Sequence, residues 1–181
     1  MVDYNSIRNE LKTGDLVFFS GAGLVSGLIK LFTKSQWTHV GMVVRIPYID
    51  SVLLWESTSL SKSKDVISGR LVSGVQISAL SDRAAEYNNN IGVRHLSREL
   101  NETQLQTLAE LRHEFKGREY EQSKLDLAFS ALDFAELSKS EDLSSLFCSE
   151  MVAEALKRMK VIITEMPSDE FTPADLSRLK L

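Results

Sequence analysis

The chain has 181 residues, 43% of them hydrophobic and 25% charged, enough for one well-formed core and too little for two, so a single domain over 1–181 is expected. Its 21 basic residues against 25 acidic ones leave a formal charge of -4, which offers no basic surface for nucleic acid. One cysteine, Cys148, and three histidines, His39, His95 and His113, exclude a disulfide framework and any multi-cysteine zinc site within the chain.

The first residues, Met1 to Ser6, carry neither the basic nor the apolar region of a signal peptide, so a cytoplasmic location is expected. A first strand over Asp15–Ser20 leads through glycines at 21 and 23 into a short apolar helix, Leu24–Phe32. The apolar run ends at Lys30 and is broken by Gly and Ser, too short to cross a bilayer. The helix suits a core better than a lipid surface, and peripheral membrane contact stays open. The same turn lacks the last glycine of a dinucleotide fingerprint and the lysine of a phosphate-binding loop, so no cofactor is expected.

Further strands are expected over His39–Ile46, Val52–Ser57, Gly74–Ala79 and Ile91–Leu96, rich in Val and Ile. Polar stretches at Ser57–Asp65, Tyr87–Asn90 and Ser138–Ser145 read as surface loops. Helices follow: one starting at Asn101, with Gln104 placed for a capping box, and stopping at Gly117; one about Lys124–Leu137; one about Ser145–Met159. A short last helix is expected with Pro173 in its first turn. Strands first and helices later argue for an α+β domain.

Cys148 is followed by apolar positions at helical spacing, which puts it in a first helical turn, where unpaired amides and the helix dipole favour a thiolate and a developing oxyanion. Its other reading is a small buried hydrophobe on the face of Val152, Ala155 and Met159. In the strand from His39, alternation puts His39, Gly41 and Val43 on one face, with Gly41 leaving that face open beside the imidazole. Pro47–Asp50 reads as a hairpin turn. If Ile46 pairs with Ser51, Gly41 lies opposite Glu56 and His39 becomes its diagonal neighbour, so the carboxylate can hold one imidazole tautomer. The bland readings are a satisfied half-buried histidine and a solvated edge charge. His95 and His113 lack metal-ligand spacing, so no metal is expected, and no Gly-x-Ser-x-Gly elbow occurs.

A thiol on a helix, an imidazole on a strand and a carboxylate to orient it are the parts of an activated nucleophile. The ordered set Gly14-Asp15-Leu16-Val17-Phe18, Trp37-Thr38-His39-Val40-Gly41-Met42-Val43, Trp55-Glu56-Ser57 and Phe147-Cys148-Ser149-Glu150-Met151-Val152 resembles the YiiX/YebB-like branch of the circularly permuted NlpC-type papain-like cysteine hydrolases. In that branch the histidine strand precedes the cysteine helix. Two softer matches, Gly117-Arg118-Glu119-Tyr120-Glu121 and Phe171-Thr172-Pro173-Ala174-Asp175-Leu176, extend the similarity along the chain.

The resemblance implies a permuted papain-like α+β fold, Cys148 as nucleophile, His39 as general base and then acid, and Glu56 as the orienting residue. It implies substrate contacts at Tyr120, Trp37 and Ser149, with a packing role as the alternative for Tyr120. The implied reaction is cleavage of an amide, ester or thioester bond in a peptide, lipid or acylated-protein substrate through an acyl-enzyme. Transfer of the acyl group to another acceptor, as in lecithin:retinol-type acyltransferases, and a catalytically silent peptide- or lipid-binding module are the alternatives. The acidic and serine-rich stretch about Ala135–Ser145 departs from the family pattern and reads either as a flap or as a passive loop.

Overall fold

The computed structural model describes residues 1–22, 24–58, 62–88, 90–117 and 144–181. The expected helix about Lys124–Leu137, Tyr120 and most of the 135–145 stretch lie outside them. Six strands form one antiparallel sheet: β1 (Val2–Asp3), β2 (Leu16–Phe19), β3 (His39–Arg45), β4 (Val52–Thr58), β5 (Gly74–Ala79) and β6 (Asn90–Arg94), in the order β1-β6-β2-β3-β4-β5. The helices are α1 (Tyr4–Ile7), α2 (Leu24–Thr33), α3 (Leu80–Glu86), α4 (Glu102–Glu114), α5 (Ser144–Arg158) and α6 (Pro173–Arg178). The α+β architecture matches the expectation. The two-residue β1, α1 and α3 carried no strong pattern and were not anticipated.

Both faces of the sheet are covered, which is why β2, Leu-Val-Phe-Phe, is buried throughout instead of alternating. Leu16, Phe18, Val40, Met42, Val44, Leu53, Trp55 and Ile77 pack against α4, α5 and α6. Val17, Phe19, Val43, Val52 and Leu54 face the other way, onto Leu80 and Ala84 of α3 and Tyr4 of α1. At the start of α4, Asn101 accepts from the Gln104 amide while the Gln104 side chain accepts from the Asn101 amide, the expected capping box. Thr172 and Asp175 form a second such box at α6, with Pro173 in the first turn.

Asp15 ties the sheet to its borders. Its carboxylate accepts from the Lys12 and Leu96 amides and meets His95 Nδ1 at 2.8 Å, so His95 is a structural partner there. Lys30 Nζ donates to the Gly21 carbonyl across the glycine turn, and Leu31 of α2 is exposed. Among the described residues no helix is long and apolar enough to cross a membrane.

Candidate active site

The expected hairpin register holds. Arg45 pairs with Val52, Val44 with Leu53, Val43 with Leu54 and Met42 with Trp55, which continues to Gly41 level with Glu56. The recorded β3–β4 ladder stops at Met42 and Trp55, however. Beyond that point β3 stays paired with β2 as far as His39, opposite Phe19, and β4 stays paired with β5 as far as Thr58, opposite Gly74. The sheet therefore parts along a seam between β3 and β4, and His39 and Glu56 stand on its two sides.

Their side chains close the seam. His39 Nε2 lies 2.7 Å from Glu56 Oε2, with His39 1% and Glu56 0% exposed. The other carboxylate oxygen, Oε1, accepts from Ser78 Oγ at 2.7 Å and from Gln76 Nε2 at 3.2 Å, both on β5. It also lies 2.8 Å from Arg83 Nε of α3, an ion pair whose angle falls outside hydrogen-bond geometry. Glu56 is thus a buried carboxylate with both oxygens occupied, the condition under which burial of a charge is tolerated.

Helix α5 packs across β3 and β4 and carries the fully buried Cys148. By alternation His39 and Glu56 belong to the α3 face of the sheet, whereas Cys148 clusters with the α5 face. With Nε2 engaged by Glu56, Nδ1 is the nitrogen left for the thiol. It has no partner in good hydrogen-bond geometry, yet Cys148 bears on the imidazole by charge and by hydrogen bonding. Both observations fit a sulfur beside Nδ1 at an angle short of ideal.

Burial alone pushes the His39 imidazole toward neutrality. The charge and hydrogen bond of Cys148, followed by the hydrogen bond and charge of Glu56, outweigh it, and the pKa stands well above 6.5. Burial likewise opposes ionisation of Glu56. The hydrogen bond from His39, the charges of Arg83 and His39 and the hydrogen bond from Ser78 reverse that and hold the carboxyl at about 2.

Two sequence expectations need correction. Cys148 is the fifth residue of α5, so it sits in the second turn instead of the first. Only the first four amides of a helix lack an intrahelical partner, and the Cys148 N–H is therefore not the free oxyanion donor that a first-turn position would supply. Gly41 does not leave space beside His39. A Cβ there would meet Leu54 Cδ1 at 2.7 Å, so the glycine makes room for Leu54.

Of the expected substrate contacts, Trp37 is half-buried, lies over Phe18 with ring centroids 5.8 Å apart, and crosses Gly92 so closely that a Cβ there would be 2.4 Å from the indole. Ser149 is fully buried beside Cys148. Arg83, Ser78 and Gln76 were not anticipated. The alternating polar residues of Gly74–Ala79 were the available signal, but that pattern ordinarily marks a solvated face. Arg83 sat in a charged stretch with no periodicity to expose it.

A family model described as "Permuted papain-like amidase enzyme, YaeF/YiiX, C92 family" matches residues 10–169. Among solved structures, the metalloprotein yiiX from Escherichia coli O157:H7 is similar in fold, with a TM-score of 0.56 and 21% identity over 83% of this chain and 67% of that one. No curated protein gives a significant sequence match.

Proposed function

This chain belongs to the permuted papain-like amidase family of the YaeF/YiiX type, and on that premise we propose that it is a cysteine hydrolase acting through Cys148, His39 and Glu56. The observation that supports this most is the His39 imidazole, bound through Nε2 to a buried carboxylate while the charge and hydrogen bond of Cys148 also favour its protonated form.

The Cys148 thiolate attacks the substrate carbonyl carbon, forming a C–S bond as the carbonyl electrons move to oxygen. As the tetrahedral species collapses, His39 Nδ1 gives its proton to the leaving nitrogen, oxygen or sulfur, and that bond breaks to leave a thioester on Cys148. His39 then takes a proton from water, the hydroxide adds to the thioester carbonyl, and the thiolate departs with the acid as product. Glu56 keeps the Nε2 proton oriented throughout and stays ionised, as the carboxylate of a catalytic triad does. Peptide, lipid and acylated-protein substrates fit the same sequence of steps.

The yiiX relative is described as a metalloprotein. Among the described residues of this chain no three His, Cys, Asp or Glu side chains converge on a metal position, and both Glu56 oxygens are occupied by protein groups.

A second reading rests on burial. His39, Glu56 and Cys148 are each exposed by 1% or less, and a site that keeps water out favours passing the acyl group to an amine or alcohol. Turnover of an activated acyl ester and of an amide, with and without an added amine, tests both readings. Cys148→Ala and His39→Ala are expected to abolish turnover. Product captured by the amine faster than by water turns the assignment to acyl transfer, and full turnover by Cys148→Ala overturns the mechanism.

A further inference from the structure

Beyond the three groups of the proposed mechanism, the α3 side of the seam holds an arginine that the reaction scheme leaves without a role. Arg83 is 2% exposed, an unusual place for a guanidinium unless its charge is met. It is met twice. Nε stands 2.8 Å from Glu56 Oε1, and Nη1 donates to Glu86 Oε2 one turn along the same helix. Glu86 is itself fixed on its second oxygen by Ser63 Oγ at 2.6 Å. The guanidinium carbon lies 5.7 Å from the centroid of Phe19 and 5.6 Å from that of Tyr87, two aromatic faces that favour a cation. Phe19 is also the ring against His39, at 5.7 Å.

We propose that Arg83 is the positioning residue of this site: anchored on Glu86 and laid over Phe19 and Tyr87, it holds Glu56 Oε1 so that Oε2 stays on His39 Nε2 and Nδ1 is presented to Cys148. The inference rests on the Cys148–His39–Glu56 reading. An unconstrained carboxylate can turn either oxygen to the imidazole or rotate away. The ion pair from Arg83 and the hydrogen bonds from Ser78 and Gln76 all fall on Oε1 and leave the other oxygen for His39. Among them Arg83 alone carries a charge, so it is also the group that keeps Glu56 ionised in a buried place. Its fork reaches two carboxylates at once, which a lysine's single ammonium does not do.

Among the described residues, the charged groups around Glu56 are His39 from β3 and Arg83 from α3, with Gln76 and Ser78 from β5 as neutral donors. Cys148 of α5 faces His39, and Glu86 and Tyr87 face Arg83. Without Arg83, Glu56 takes up a proton at higher pH. The imidazolium then loses its counter-ion, and the thiolate loses support from the imidazolium.

The test is the rate of Cys148 alkylation by iodoacetamide from pH 3 to 8 in the full chain, read by intact mass, for wild type, His39→Ala, Arg83→Met, Arg83→Lys, Glu56→Gln and the Glu56→Gln/Arg83→Met double variant. Thermal melting of each variant separates folding from reactivity. The double variant removes both charges together and so leaves no lone buried ion. The expected result is an acid-side fall in reactivity that moves up by about one pH unit or more in Arg83→Met, less in Arg83→Lys, and no further in the double variant than in Glu56→Gln alone. Profiles that superimpose for wild type and Arg83→Met overturn the inference. So does an equal shift in both backgrounds, because Arg83 then acts by some route other than Glu56. Wild-type reactivity that His39→Ala leaves unchanged would sink the thiol mechanism itself, a failure distinct from that of Arg83.

Discussion

His39 and Glu56 are held in opposite protonation directions by the same contact, and this makes their pH behaviour informative. Glu56 stands at about 2 against its ordinary 4.5, so its ionised form stabilises the fold fully above 4.5, and that contribution is lost as pH falls toward 2. The amount is on the order of 3 kcal/mol. His39 is raised, so its contribution is complete below its ordinary 6.5 and is lost as pH rises through the folded-state value. Urea denaturation at pH 6 and pH 3 is expected to show wild type losing stability on acidification, with Glu56→Gln losing clearly less; equal losses would mean that the carboxylate is not ionised in the folded protein. In turnover assays Cys148→Ala is expected to lose roughly 10³-fold or more. Glu56→Gln, which keeps the shape and changes the charge, is expected to lose at least about tenfold, mainly in kcat. A Glu56→Gln enzyme at full kcat would reduce Glu56 to a structural part.

At the scale of elements, the close approach of Gly41 on β3 to Leu54 on β4 is a packing constraint beside His39. Gly41 admits Leu54, and Gly41→Ala drives a methyl group into that buried side chain. The expected cost is about 1–3 kcal/mol in denaturant midpoint analysis, and the same substitution is expected to cost much less in a Leu54→Ala background, where the clash has no partner. Independent, additive losses would place the strain elsewhere. The sequence made β3, β4 and their register legible because both are short runs rich in Val, Leu and Met and Pro47–Asp50 marks the turn between them; from that register the His39–Glu56 neighbourhood followed. It also made the α4 and α6 starts legible through Asn101 and Thr172, whose side chains cap at short range. What it hid has a common cause. The burial of Gln76, Ser78 and Arg83 depends on α3 folding over one face of β5, a long-range contact that leaves a pattern indistinguishable from a solvated strand and helix. The start of α5 lies at Ser144, one residue from the expected Ser145, and an offset of that size is enough to carry Cys148 past the first turn.

For the molecule as a whole, a sheet covered on both faces and a thiol with no exposed surface mean that chemistry at Cys148 requires an opening motion. Alkylation by iodoacetamide is therefore expected to be slow in the folded protein and to accelerate in urea well below the unfolding midpoint, as local opening precedes global unfolding. Fast, urea-independent reaction would show the site to be open in solution. The reaction scheme, the role of Arg83 and the family assignment all converge on one covalent event at one atom. Intact-protein mass spectrometry after exposure to a panel of activated ester, thioester and amide acyl donors reads that event directly. The expected result is an added mass equal to one acyl group, mapped to Cys148, absent in Cys148→Ala and accumulating more slowly in His39→Ala. Turnover of any of these donors with no acyl adduct under rapid quenching, or an adduct that persists in Cys148→Ala, contradicts Cys148 as the nucleophile.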